Sequence, residues 1–258
     1  MSYRSLSLEG RVAVVVGGTT GIGRTMALGL AEAGADVVAS ARGAANLEST
    51  AAEIEALGRR TLRVTSDVTD RKSLEALRDQ VLAGMDRVDI LVNCAGRTMR
   101  TPTLDTSEAD WNSILDTNLT GTLRACQVFG RAMIERGYGR IINIASLASF
   151  VALFETCAYG VSKAAVAALT RQLAIEWGAK GVCVNAIAPG VFRTALNREL
   201  LDGTERGKEF LLRAPMRRFG QLGELAGAAV FLASESASFV NGEVLAVDGG
   251  FLASGVNQ

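Results

Sequence analysis

Tyr159 and Lys163 stand four residues apart in Tyr159-Gly160-Val161-Ser162-Lys163, a spacing that stacks two side chains on one helix face. A free phenol, with a pKa of about 10, exchanges protons poorly near neutrality, and an adjacent ammonium stabilises its phenolate. Lowering the phenol by ~3 units would take roughly 4 kcal/mol of preferential phenolate stabilisation. The chain has 3 tyrosines and few lysines, Lys72, Lys163, Lys180 and Lys208, so the pairing is worth isolating. Ahead of it, Ser146 stands just past the apolar run 140–145. A third feature is the glycine-rich run Gly17-Gly18-Thr19-Thr20-Gly21-Ile22-Gly23. With a helix after it, such a turn brings backbone N–H groups up to an anion, and the helix N-terminus adds about half a positive charge. The sequence has no histidine. That removes Ser-His and Cys-His nucleophile systems and most zinc sites, leaving tyrosine, lysine, carboxylates and cysteine for acid–base work.

The surrounding elements must bring these groups together. Short β-branched apolar runs alternate with helical patterns. Strands are predicted at 11–16, 36–40, 61–65, 88–92, 140–145, 182–187 and 243–247. Helices are predicted at 22–33, 44–57, 70–83 (with Asp70 as N-cap), 107–136, 158–178 and 224–233,. This alternation specifies an α/β fold. It is read as a single domain over 1–258, a doubly wound parallel sheet of about seven strands with helices on both faces. In a parallel sheet the ends of 11–16 and 140–145 and the start of 158–178 share one edge. Ser146, Tyr159, Lys163 and the glycine turn can therefore meet in one crevice. The charged stretch 192–221 is either a solvated excursion or a lid over that edge.

The turn admits two readings. Gly18-x-x-x-x-Gly23-Arg24-Thr25 is a near-miss to a P-loop, with arginine in place of the phosphate-contacting lysine,. Its function would be phosphotransfer. Gly17-x-x-x-Gly21-x-Gly23 is a dinucleotide turn with wider spacing than G-x-G-x-x-G. The Tyr–Lys pair and Ser146 favour the second.

Bulk properties narrow the class. Charges balance at 27 basic and 27 acidic residues, which removes the electrostatic footprint of a nucleic-acid binder. A hydrophobic content of 48% is incompatible with global disorder. Apolar stretches fall short of the ~18 residues of a membrane span, and MSYRSLSLEGR lacks a secretory apolar region. Cys94, Cys126, Cys157 and Cys183 are scattered, as expected for reduced thiols of a cytoplasmic protein without a metal site. The two longest helical patterns are apolar on more than one stripe, which suggests a subunit interface.

With these motifs in order, the chain resembles the short-chain dehydrogenase/reductase family over essentially its whole length, implying a Rossmann-like sheet. Gly17, Thr19, Thr20, Gly21, Ile22 and Gly23 look like the family's cofactor turn, and Asp67-Val68 like its adenine contact. Asn93-Cys94-Ala95-Gly96 resembles the Asn-Asn-Ala-Gly motif, with Asn93, Ala95 and Gly96 counted at the cofactor. Asn118, Ser146, Tyr159 and Lys163 match the catalytic tetrad. Pro189, Gly190, Val191 and Thr194 resemble the segment beside the nicotinamide, and Asn241-Gly242 and Asp248-Gly249-Gly250 the C-terminal ending. Val16, where threonine is usual, Cys94, and a loop 147–157 without the usual glycines are departures.

The resemblance implies hydride transfer between a nicotinamide and a carbinol or carbonyl carbon. Tyr159 would be the acid/base and Ser146 would orient the substrate oxygen. Lys163, together with the positive oxidised nicotinamide, would lower the phenol; Lys163 would also bind the ribose, and Asn118 would hold a water. By family register the acidic residue that selects NAD is Ala41 here, followed by Arg42, which suits a 2′-phosphate. NADP(H) is therefore expected over NAD(H). The nearest branches in appearance are gluconate 5-dehydrogenase, with Arg97, Arg100 and Arg193 available to a sugar-acid carboxylate, and 3-oxoacyl-acyl-carrier-protein reductase. A broad ketone reductase and a non-catalytic dinucleotide sensor are the alternatives. A homotetramer or dimer is the family's usual assembly.

Overall fold

The computed structural model of the protein describes residues 6–194, 197–255 and 257. Residues 1–5 of the N-terminal segment and 195–196 of the 192–221 stretch lie outside them. The chain begins with β1 (Val12–Val16), α1 (Gly21–Glu32), β2 (Asp36–Ser40), α2 (Ala44–Ala56), α3 (Arg71–Met85) and β3 (Ile90–Asn93). It continues through α4 (Glu108–Leu115), α5 (Gly121–Arg136), β4 (Gly139–Ile144), α6 (Cys157–Trp177) and β5 (Val182–Pro189). Two short helices, α7 (Arg198–Leu201) and α8 (Glu205–Arg213), precede α9 (Gly223–Ala233) and β6 (Val244–Val247).

Six strands pair in parallel in the order β2-β1-β3-β4-β5-β6. The chain leaves β1 in one direction and returns on its other side at β3, so the switch point lies at the carboxyl ends of those two strands. Alternate residues of β1 serve two cores. Ala13 and Val15 pack with α1 and α9, and Val12, Val14 and Val16 pack with α3, α5 and α6. Helices α1 and α9 cross closely, because a Cβ on Gly29 would lie 2.5 Å from the Ala226 Cβ.

Two sequence expectations fail here. The third predicted strand, 61–65, lies beside β2 but makes no ladder, so the sheet has six strands. The Val37 N–H donates to the Arg60 carbonyl (3.1 Å) and the Ser66 N–H to the Ala41 carbonyl (3.2 Å). Between them the Ser40 hydroxyl donates to the Val64 carbonyl at 2.6 Å, so a side chain stands in for ladder bonds. The predicted helix 107–136 is interrupted by a π-turn at Asp116–Thr120, between α4 and α5, with Asn118 fully buried inside it. Turns of this kind are rare and cluster at functional sites.

Candidate active site

β1 runs into Gly17 (φ +79°) and the chain enters α1 at Gly21 (φ +50°). The Gly17 and Gly18 N–H groups both donate to the Ser40 carbonyl, at 2.7 and 3.1 Å, pinning the turn to the end of β2. A Cβ on Gly17 would sit 2.5 Å from the Ala95 nitrogen, and one on Gly23 would sit 2.0 Å from the Gly17 oxygen. These two glycines let the turn fold against itself and against the β3 exit. Gly21 differs. Beyond it the space is open, with only the Thr194 Cγ2 at 3.9 Å. Thr19 is buried beneath the turn, and Ile22 packs against the core. Thr20 caps α1 without a side-chain bond and the first turn holds no acidic residue, so the helix offers its N-terminal N–H groups to an outside acceptor. Arg24, at the P-loop lysine position, is paired with Glu53 of α2, which takes that cation away from a phosphate role.

Ser146, Tyr159 and Lys163 are brought together at the end of β4. The Ser146 hydroxyl accepts the Ala148 N–H at 3.1 Å and faces the Tyr159 phenol. Lys163 Nζ donates to the Ile144 carbonyl at 2.6 Å and lies 5.9 Å from the Tyr159 ring centroid. Burial pushes the phenol above its ordinary 10, offset in part by hydrogen bonding to Ser146. Lys163 does not reverse this, and burial depresses its own pKa to about 8.

Asn118 uses every polar atom of its side chain. Its Oδ1 accepts the Arg97 N–H (2.8 Å), and its Nδ2 donates to the Arg97 carbonyl (2.9 Å) and to the Ser162 hydroxyl (3.0 Å). Ser162 in turn donates to the Tyr159 carbonyl at 2.7 Å. The Asn118 side chain therefore ties the β3 exit to the first turns of α6. Gly96 backs onto this group, since a Cβ there would lie 3.3 Å from Asn118 Oδ1 and 3.7 Å from Lys163 Nζ.

The remaining sequence candidates divide. Asn93 points into the protein, donating to Asn143 Oδ1 (2.9 Å) and Cys126 Sγ (3.2 Å), so its side chain holds β3 to β4. The Cys94 and Ala95 N–H groups donate to the Val16 carbonyl, both at 2.9 Å. Burial raises the Cys94 thiol to about 11. The Asp67 carboxylate accepts the Thr69 hydroxyl (2.7 Å) and N–H (2.9 Å), which hold its pKa low with help from the charges of Arg42 and Arg124. Val68 is buried against Gly121. Arg42 is exposed and has no ion pair among the described residues. At the far side, Pro189 ends β5, and the Gly190 N–H donates to the Val247 carbonyl at 2.8 Å. The Val191 carbonyl accepts the Gly220 N–H at 3.0 Å, and the Thr194 N–H donates to Asn197 Oδ1 at 2.7 Å.

The three arginines considered for a carboxylate are not equivalent. Arg193 is paired with Asp202, and Arg97 NH1 donates to the Ser113 hydroxyl at 2.6 Å. Arg100 pairs with Glu155 at 2.8 Å, and Arg206 of α8 donates to the adjacent Phe154 carbonyl at 3.4 Å. Glu155 is in the left-handed region at φ +62°, where a non-glycine residue is strained. Ser162 and Arg206 escaped the sequence reading. Ser162 was detectable as a hydroxyl one turn after Tyr159, whereas nothing local marks Arg206.

Comparison with known proteins agrees with this geometry. The family model described as enoyl-(acyl carrier protein) reductase matches residues 16–252. The 2-dehydro-3-deoxy-D-gluconate 5-dehydrogenase of Dickeya dadantii (strain 3937) is 41% identical over 254 residues, covering 98% of this chain and 100% of that protein. The gluconate 5-dehydrogenase of Gluconobacter oxydans (strain 621H) is 42% identical over 258 residues, covering 98% and 100%. The gluconate 5-dehydrogenase of Burkholderia cenocepacia J2315, crystallised in complex with NADP and tartrate, superposes with a TM-score of 0.94 at 38% identity, covering 98% and 99%. The chain is an oxidoreductase belonging to the short-chain dehydrogenase/reductase family.

Proposed function

We propose that this enzyme interconverts a secondary alcohol and a ketone with NADP(H), acting on a sugar acid of the gluconate type. The observation that carries the reading is the convergence of Ser146, Tyr159 and Lys163 beside the turn 17–23. The turn fits a dinucleotide. Gly21 opens onto free space and α1 begins uncapped, as a pyrophosphate requires. Ala41 leaves the end of β2 without a carboxylate, and exposed Arg42 is available to a 2′-phosphate,. The Burkholderia relative holds NADP.

When bound, NADP(H) would supply or accept the hydride through its nicotinamide. In the reducing direction, the raised phenol of Tyr159 stays protonated near neutrality and gives its proton to the substrate oxygen as that oxygen gains charge. Ser146 hydrogen-bonds the same oxygen. Lys163, charged below about pH 8, places a positive charge beside the phenol and would hold the ribose hydroxyls of the bound cofactor. Asn118 positions rather than reacts: it fixes the β3 exit and, through Ser162, the Tyr159 backbone. Arg100 is engaged by Glu155, whereas Arg206, which donates to the Phe154 carbonyl and has no ion pair among the described residues, is the cation that suits a carboxylate. The stretch 192–221, bearing α8, is the lid that carries Arg206 to it. A homotetramer built through α5 and α6 would cover Ile175, which is nearly fully exposed on α6.

The test assays gluconate and neutral glucitol with both cofactors, for wild type and Tyr159→Phe. Wild type should prefer gluconate and NADP. The variant should lose about 10²–10⁴-fold in turnover while binding NADPH normally. Turnover near wild type in Tyr159→Phe would remove Tyr159 as the acid/base, and equal rates on both substrates would remove the sugar-acid assignment.

A further inference from the structure

The turn after β4 contains a hydroxyl that the reaction does not use. Ser149 closes the short 3₁₀ turn Leu147–Ser149 and is partly buried. Its Oγ accepts the Ser146 N–H at 3.3 Å and donates to the Lys163 main-chain carbonyl at 2.7 Å. Lys163 is therefore held at both ends from one segment. Its ammonium sits on the Ile144 carbonyl at 2.6 Å, and its backbone is tied to Ser149. The two links close a ring through Ile144, Ala145, Ser146, the 3₁₀ turn and α6.

The turn's other backbone bonds do a different task. The internal bonds of Leu147–Ser149 fold the turn on itself, with the Ser149 N–H on the Ser146 carbonyl at 2.9 Å and the Ala148 N–H on Ser146 Oγ at 3.1 Å. Neither reaches α6. The Ser149 hydroxyl ties the turn to the α6 main chain, whereas Ser146 meets α6 through the Tyr159 phenol. Because Ser146 Oγ already accepts from Ala148, its own proton is free to point across the crevice, and the direction it takes depends on how the turn is seated against α6.

We propose that Ser149 is a positioning residue for the reaction, setting the separation of Ser146 from the Tyr159–Lys163 face of α6 through its bond to the Lys163 carbonyl. It touches neither substrate nor cofactor, and it acts by keeping two reacting side chains in register across a strand-to-helix junction. Register of this kind is sensitive, since a shift of about 1 Å can cost a hundredfold in rate. The inference rests on Ser146, Tyr159 and Lys163 being the reacting residues.

The experiment compares Ser149→Ala and Ser149→Thr with wild type and Tyr159→Phe in steady-state ketone reduction, with NADPH dissociation constants and melting temperatures measured alongside. Alanine removes both bonds and little volume, whereas threonine keeps the hydroxyl. In Ser149→Ala, kcat should fall about 10- to 100-fold, with KM and the NADPH dissociation constant within about threefold of wild type. The pH profile of kcat should move upward, because a loosened Lys163 regains solvent. Ser149→Thr should restore most of kcat. The proposal is overturned if Ser149→Ala keeps kcat within about twofold, if threonine fails to rescue, or if kcat falls only together with cofactor affinity and melting temperature. Full activity in Tyr159→Phe would instead sink the underlying assignment. An inactive Tyr159→Phe beside an unimpaired Ser149→Ala would sink this inference alone.

Discussion

Lys163→Met should make the protein more stable while making it inactive. Lys163 is 6% exposed, and burial holds its pKa near 8 against an ordinary 10.5. Two and a half units correspond to about 3 kcal/mol by which the folded state disfavours the ammonium. The penalty acts fully below the folded value, near pH 8. There the unfolded chain binds the extra proton more readily, so stability rises with pH from about 8 to 10.5 and the penalty then vanishes. Methionine removes the charge and fills most of the volume, but it strands the Ile144 carbonyl that Nζ contacts at 2.6 Å, returning about 1 kcal/mol. The net gain near pH 7 is about 2 kcal/mol, or about 4–8 °C in melting temperature for a chain of this size. Calorimetry of both cofactor-free proteins between pH 7 and 10.5 reads the difference directly, since other titrating groups cancel. The gap should close and then change sign as pH approaches 10.5. A variant less stable at pH 7, or a gap independent of pH, would refute the claim that burial strains this ammonium.

Three further outcomes follow from the same geometry. Ala41→Asp with Arg42→Ala should turn cofactor preference toward NADH, read as the ratio of kcat/KM values for NADPH and NADH; an unmoved ratio would exclude Arg42 from the 2′-phosphate. Gly23→Ala places a Cβ 2.0 Å from the Gly17 oxygen, so it should cost about 3 kcal/mol and abolish dinucleotide binding in a titration of the folded fraction. Ketone reduction should decline above about pH 8 as Lys163 discharges, while oxidation, which needs the phenolate, should gain; parallel profiles in the two directions would contradict these ionisations.

What could be read from the chain was whatever local chemistry decides. β2 forms at Asp36–Ser40 as predicted, and Asp70 caps α3 by accepting the Lys72 N–H at 2.9 Å. Gly137 ends α5 in the left-handed region at φ +69°. Each depends on residues a turn or less apart. The segment 61–65 has strand-like composition, but whether it joins a ladder depends on the Ser40 hydroxyl across a gap of 24 residues. The π-turn around Asn118 is invisible in a 3.6-residue pattern that continues on both sides of it. Ion pairs behave the same way: Arg24 meets Glu53 at a separation of 29 residues, and Arg100 meets Glu155 at 55. Sequence alone could propose cations for a phosphate or a carboxylate without saying which were already engaged.

The phenol is the instructive case. From spacing alone, a lysine one turn away should make Tyr159 more acidic, and that argument treats the helix as if it stood in water. Placed at the end of β4, under Gly96 and against Ser146, both groups lose solvent, and burial moves each toward its neutral form: the phenol upward, the amine downward. Environments that drive two titratable groups in opposite directions mark an acid and its partner. On the proposed reading, the proton-donating step falls to a phenol that stays protonated near neutrality. On the same reading the electrostatic role falls to an ammonium that donates to the Ile144 carbonyl, and it depends on how tightly β4 is locked to α6. Rate should therefore depend less on the Tyr–Lys spacing, which any helix would provide, than on the contacts that keep the strand end and that helix in one register.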